Sequence, residues 1–263
     1  MARGPIAETS VERLARYLFD ILPGAGPRSG AGLGSDVAPA TNGPDPVDVS
    51  FGREMAAWLA ESRRFRDFAE ANRDKIRKKL RGAADSEARR DVRAELLTAR
   101  RLLADKRIEL AFEAYGSGRG GPDFTVAFHG ERGFDLEVTR LRRTPDVAAF
   151  SGVLLGKLRQ LSPSVPNVLL IAIDDVAPNA AGIEEAARAL RARADRKDEA
   201  FFVDRGLAGT RWFYERFARL SLVFVAGEAG EGDERASIWV NRIARIPLPP
   251  RAARGCLASL QAD

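Results

Sequence analysis

The sequence predicts an α/β fold, a sheet with helices packed on it, preceded by a helical extension. Three observations carry this. Apolar residues recur at helical spacing through much of the first hundred positions. The pattern then switches to period two at Ile108, Leu110, Phe112 and Ala114. From there strand-like and helix-like runs follow one another, the order of a layered α/β sheet. A hydrophobic fraction of 45% over 263 residues is enough to build a core.

Residues 9 to 22 place Val11, Leu14, Leu18 and Ile21 on one side of a short amphipathic helix, with Ser10 as a candidate cap. Such a helix can dock on a protein partner or on the body of the chain. Residues 23 to 49, rich in Gly, Pro, Ser and Ala, carry too few large apolar groups to offset the entropy of ordering and read as a disordered linker. From residue 50 to 263 we expect one α/β domain: a helical extension over 50–84, a core over 85–175 and a C-terminal elaboration over 176–263.

Within the extension, Met55, Trp58, Leu59, Phe65 and Phe68 mark one or two helices, and Ile76 and Leu80 a third. The third bears the most basic run of the chain, with Lys75, Lys78 and Lys79, which reads either as a solvated helix face or as a contact to phosphates. Asp85 or Ser86 can cap a longer helix to about residue 104, striped by Val92, Leu96, Ala99 and Leu103.

Strands are expected at 108–114, 122–129 and 133–140, the last two joined by a tight turn at Gly130-Glu131-Arg132. A helix over 146–161 and the strongly apolar strand Asn167–Ile173 follow. A helix near 183–194, a helical piece at 212–217 and strands at 220–226 and 236–240 complete the pattern.

Several chemistries are excluded. The single Cys256 rules out an internal disulfide and a multi-cysteine zinc site and fits a reducing compartment. The single His129 rules out a centre built from several imidazoles, and a serine triad would rest on it alone. There is no run of about 18 apolar residues and no basic-then-apolar leader, so a cytoplasmic location is expected. Forty-two Lys and Arg against 37 Asp and Glu give +5, mild basicity that selects no partner. Gly116-Ser117-Gly118-Arg119-Gly120-Gly121 matches a dinucleotide fingerprint in form, but another strand follows it where a helix must begin to meet phosphates, so it reads as a hairpin connection. Neither a Walker A motif, a helix-turn-helix nor a zinc finger is evident.

What remains for chemistry is carboxylates, lysine and arginine. Along GFDLEVTR, alternation puts Asp135, Glu137 and Thr139 on one face. An acid in the middle of an apolar strand is unfavourable unless a cation or hydrogen bonds compensate it. Asp123, after Pro122 on the neighbouring strand, poses the same problem, and two such carboxylates are tolerated side by side when a divalent cation lies between them.

A helix with Glu95, a strand opened by Pro122-Asp123, a strand with Glu137, then a helix with Lys157 and Gln160 resembles the PD-(D/E)XK, or restriction-endonuclease-like, nuclease superfamily over about residues 90 to 175. The texture of FRDFAEANRDKIRKKLRG and FDLEVTRLRR is similar to bacterial proteins of that kind. The resemblance implies an α-β-β-β-α-β core with a mixed central sheet flanked by helices. It also implies Mg²⁺ or Mn²⁺ held by Glu95, Asp123 and Glu137, catalysis by Asp123, Glu137, Lys157 and Gln160, and hydrolysis of DNA or RNA. The chain departs from the pattern at Thr139, which stands where the superfamily carries lysine and supplies no cation. Lys157 on the following helix is the substitute, three positions from Gln160 and so on one helical face. Without catalysis, the same fold would be a module that binds nucleic acid or a protein, gripping phosphates through the basic helix and Arg140, Arg142 and Arg143.

Each residue also has an ordinary reading. Glu95 can pair with Arg100 or Arg101, Asp123 can brace its turn, and Lys157 can be a solvated helix lysine. Glu109 and Glu113 face away or brace the first strand, although Glu113 can also join a metal cluster.

Overall fold

The computed structural model describes residues 9–19, 46–114, 121–129, 131–142, 144–174, 178–227 and 235–262. The glycine-rich loop up to Gly120, Gly130 of the expected turn, Arg143, the linker up to residue 45 and the end of the expected first helix lie outside them. The chain divides into two compact units, Met1–Arg93 and Ala94–Asp263, with the division inside one helix.

The first unit is helical: α1 (Ser10–Phe19), α2 (Pro46–Glu61), α3 (Arg63–Ala71), α4 (Arg73–Gly82) and the start of α5 (Ser86–Leu103). Helix α2 begins inside the segment read as linker, so positions 46–49 are helical. Thr9 rather than Ser10 caps α1: its hydroxyl accepts from the Glu12 N–H, while Glu12 accepts from the Thr9 N–H at 2.8 Å. That exchange holds the Glu12 carboxyl below its ordinary value. Ser62 caps α3 and Asp85 caps α5, each accepting from the backbone N–H three residues on.

The apolar face of α1 is buried within its own unit, with Leu14, Leu18 and Phe19 covered. Phe19 meets Phe51 edge-on at 5.7 Å, and Arg77 of α4 lies over Tyr17 at 4.2 Å. The helix is thus packed on its own chain.

The second unit is a six-stranded mixed sheet with interspersed helices. Strands β1 (Ile108–Phe112), β2 (Phe124–Phe128), β3 (Phe134–Leu141), β4 (Asn167–Ile173), β5 (Leu220–Gly227) and β6 (Ala236–Val240) lie in chain order across it. β1–β2–β3 and β5–β6 pair antiparallel, β3–β4–β5 parallel. The two parallel joins need crossovers. Helix α6 (Val147–Lys157) makes the first, and α7 (Ala181–Asp195), α8 (Glu199–Val203) and α9 (Thr210–Phe217) make the second. The order α5-β1-β2-β3-α6-β4 is the one the motifs imply.

One face of the sheet, with Leu141, Leu169, Ile171, Ile173, Val223 and Val225, belongs to the core cluster that also holds Phe150, Leu154, Leu190 and Phe213 from the crossover helices. β4 and β5 are buried almost throughout, as central parallel strands must be. On the other face, Gly255 of α10 (Pro250–Gln261) lets that helix approach Phe128, where a Cβ would stand 2.4 Å from the ring. Helices α10 and α8 carry no strong periodic signal in the sequence. The first has small alanines in place of a large apolar stripe, and the second is five residues long.

Boundaries shift in two places that matter for the site. β2 starts at Phe124, after Pro122, which has no N–H for a ladder. Helix α6 ends at Lys157 and tightens into a turn, with the Gln160 N–H donating to the Lys157 carbonyl at 3.0 Å. Gln160 therefore reaches the site from the turn that follows the helix.

Candidate active site

The site is built on β3. Pairing of β3 with β4 sets Asp135 opposite Asn167, Glu137 opposite Leu169 and Thr139 opposite Ile171, so the three polar residues lie on the face that carries the crossover helices. Asp135 is 5% exposed and Glu137 9%, although neither side chain is apolar. Burial at that level demands compensation.

Glu137 receives it from α6. Lys157, in the last turn, places Nζ 2.6 Å from Glu137 Oε1, with side-chain exposures of 22% for the lysine and 11% for the glutamate. The helix end suits the lysine, because the carbonyls there carry partial negative charge. Its methylene stem can lie along apolar surface while the head reaches the carboxylate.

Asp135 has much less. Its side chain accepts one hydrogen bond, from Thr125 Oγ1 at 3.4 Å, and burial pushes its carboxyl above the ordinary 3.8, with Thr125 offsetting part of the effect. Thr125 is its partner in the β2–β3 register. Continuing that register by one residue puts Asp123 level with Glu137 on the same face. Asp123 Oδ2 accepts from the Val138 N–H at 2.9 Å, so the carboxylate laces β2 to β3 where the regular ladder stops. The Asp123 carbonyl accepts from the Glu113 N–H at 2.9 Å, and Glu113 turns the chain out of β1 at φ 43°. Glu113 is half-buried at that turn, and Glu109 is exposed.

Pro122, Asp135, Glu137, Gln160, Leu161, Asn167 and Val168 line a small cleft here, open to solvent. It lies at the N-terminal ends of the parallel strands β3 and β4. Its floor is braced by Asn167, whose amide donates to the carbonyls of Ser162, Val165 and Arg219 at 2.8, 3.0 and 3.1 Å, while its oxygen accepts from the Ser162 N–H at 2.9 Å.

The structure therefore brings together Glu137, Lys157 and Gln160, with Asp123 level with Glu137 on the neighbouring strand. Asp135, which alternation along β3 already placed on the same face as Glu137, joins them in the cleft. Glu95 is half-buried on α5 and does not line the cleft. Arg140 is on the opposite face of β3. Its side chain is 4% exposed and bonded to Asp174 at 2.7 Å, so it serves an ion pair at the far end of β4 and offers nothing to an external phosphate. Arg142 is exposed. Lys75 and Lys78 are exposed on α4 and Lys79 is half-buried, all three in the first unit. His129 is exposed, and Cys256 is buried.

The donors around the cleft are carboxylate oxygens, the chemistry that Mg²⁺ and Mn²⁺ prefer. Asp135 in particular is a buried carboxylate with one long hydrogen bond, which a cation would compensate. Yet Glu137 is turned to Lys157 and Asp123 to the β3 backbone, and among the described residues no three His, Cys, Asp or Glu are gathered as a metal cage.

Fold and site together define an α/β protein in which a mixed six-stranded sheet carries a cleft lined by buried carboxylates beside a helix lysine. No family model, curated protein or solved structure matches the chain. Among the described residues no helix is long and apolar enough to cross a membrane.

Proposed function

We propose that the chain is a metal-dependent phosphodiesterase of the PD-(D/E)XK type that hydrolyses DNA or RNA with Mg²⁺ or Mn²⁺. The observation that supports this best is the meeting of Lys157 with Glu137, within the element order α5-β1-β2-β3-α6-β4. It supplies from the helix the cation that Thr139 does not supply from the strand.

In this reading Asp135 and Glu137, with Asp123, are the oxygen donors that would hold the metal. When bound, such an ion lowers the pKa of a coordinated water and offsets charge on the scissile phosphate. The chain's own groups do the rest. Lys157 is close enough to Glu137 to orient a water between carboxylate and substrate and to stabilise charge on the phosphate. Gln160, exposed at the rim, can donate its amide to a phosphate oxygen.

A second reading has its own support. Asp123 spends a carboxylate oxygen on the Val138 N–H and threonine occupies the position of the motif lysine, as in a nuclease fold kept for binding alone.

Calorimetry with Mg²⁺ and Mn²⁺ on the wild type and on Asp135→Asn/Glu137→Gln, run beside degradation of labelled single- and double-stranded DNA and RNA, tests both. The enzyme reading expects metal binding and cleavage in the wild type and loss of both in the variant. Cleavage undiminished by Glu137→Gln would refute the site. Salt-dependent nucleic-acid binding with no cleavage in either metal would select the binding module.

A further inference from the structure

The residues that the sequence offers as phosphate contacts are Lys75, Lys78 and Lys79 on α4, the ion-paired Arg140 and the exposed Arg142. A different set of cations is gathered at the loop that walls the cleft. The loop from α6 to β4, residues 158–166, is held by three arginines, each through one guanidinium N–H on a carbonyl. Arg219 Nη1 donates to Leu161 at 3.1 Å and Arg132 Nη2 to Ser164 at 2.5 Å, while Arg159, in the loop itself, donates to Arg205 at 2.6 Å. Leu161 and Gln160 line the cleft, so the loop that these arginines brace forms part of its wall.

Two more join Arg219. Burial, and after it the charges of Arg216 and Arg245, hold the Arg219 guanidinium below its ordinary value. Glu215, the acid opposing them, is bonded to Arg211 at 3.1 Å. Arg216 lies over the Trp212 ring at 5.1 Å, and the backbone N–H of Arg245 is fixed on the Ala218 carbonyl at 2.7 Å. Among the described residues none of Arg132, Arg159, Arg216, Arg219 and Arg245 has an acidic partner within ion-pair distance. Arg132, Arg159 and Arg245 are exposed, and Arg216 and Arg219 are half-buried.

A guanidinium has five N–H donors, so one bond to a carbonyl leaves a fork available to an oxyanion. Clustered like charges are unfavourable in the isolated protein and become favourable on a polyanion.

We propose that Arg132, Arg159, Arg216, Arg219 and Arg245 form a strip that grips the phosphate backbone of a nucleic acid and lays it along the cleft of Asp135 and Glu137. The occupant is a nucleic acid because the cations are spread over several positions about the loop that walls a carboxylate cleft, where spaced phosphates match them and a single small anion does not. The inference rests on the phosphodiesterase reading for its substrate class, but binding by the strip does not depend on cleavage.

Fluorescence anisotropy of a labelled DNA duplex and a labelled single strand, titrated in EDTA over a range of salt, tests it without hydrolysis. The variant Arg132→Gln/Arg159→Gln/Arg245→Gln removes three exposed charges and keeps the Arg219 bond to the loop. We expect it to bind about tenfold more weakly near ~100 mM salt, with the slope of log affinity against log salt shallower by about 2 to 3. The corresponding triple lysine variant keeps the charges and should recover most of the slope, which a folding defect would not allow. A wild-type slope retained by the glutamine variant would overturn the proposal. So would a loss confined to Lys75→Gln/Lys78→Gln, or wild-type affinity for polyglutamate but not for nucleic acid. Wild-type cleavage together with an unaltered glutamine variant would sink the strip and leave the phosphodiesterase reading intact. Strip-dependent binding without cleavage in Mg²⁺ or Mn²⁺ would do the reverse.

Discussion

Removing the Lys157 charge should expose how much of the second unit's stability depends on one contact. Glu137 is 9% exposed and has Lys157 Nζ at 2.6 Å. In Lys157→Met the stem keeps its packing while the carboxylate loses its cation. Breaking a fully buried pair costs about 3 to 5 kcal/mol. Here the lysine side chain keeps 22% exposure and the glutamate 11%, so water recovers part of the loss. We expect about 2 to 3 kcal/mol for Lys157→Met. Glu137→Gln should cost about 1 to 2 kcal/mol, because the amide oxygen still accepts from the lysine. The double variant removes both charges and should cost far less than the sum, giving a coupling of about 2 kcal/mol.

Urea unfolding followed by tryptophan fluorescence measures the cycle. Trp212 and Trp239 report on the second unit, and a Trp58→Phe background silences the first. Each kcal/mol lost should lower the melting temperature by about 2 to 4 °C in a unit of this size. A coupling below about 0.5 kcal/mol would refute the reasoning, because it would mean that the pair is solvated and that Lys157 is an ordinary surface lysine.

Two further outcomes follow from buried titratable groups. The folded-state pKa of Asp135 is raised, so the native state holds this proton at pH values where the unfolded chain has released it; stability from this group is greatest in acid and is lost as pH rises from the ordinary 3.8 through the raised value. Asp135→Asn should therefore stabilise the metal-free protein at neutral pH by about 1 to 2 kcal/mol and change little in acid, and denaturant midpoints at both pH values would check it. A neutral-pH destabilisation would mean that the charge is compensated in the native state. Cys256 is buried and its thiol is pushed to about 12, chiefly by burial with Asp105 adding to it. A thiolate reagent at neutral pH should label it only at the unfolding rate, as a denaturant series would show, and rapid labelling of the native protein would contradict its burial.

Local regularities made much of this legible in advance. Period-two alternation placed Asp135, Glu137 and Thr139 on one face of β3 and Arg140 on the other, and the structure keeps that division. Asn167–Ile173 and Ala236–Val240 are strands within the same bounds as expected. These features follow from backbone geometry, which repeats every two or 3.6 residues whatever the chain does elsewhere.

Contacts between distant residues were not legible. Lys157 lies 20 positions beyond Glu137 and meets it because α6 crosses from β3 to the adjacent parallel β4 and ends beside the start of both strands. Asp123 reads as a metal ligand in the sequence, and the register puts one of its oxygens on a backbone N–H of β3. Alternation gives a residue's face and not its depth of burial, so the sequence does not single out Asp135. Arg219 reaches the α6–β4 loop across 58 positions of sequence, a distance no periodic pattern spans. The sequence by itself determined which residues share a face. Tertiary structure decided which of them meet, because strand order, register and the landing point of a crossover are set by packing over the whole sheet.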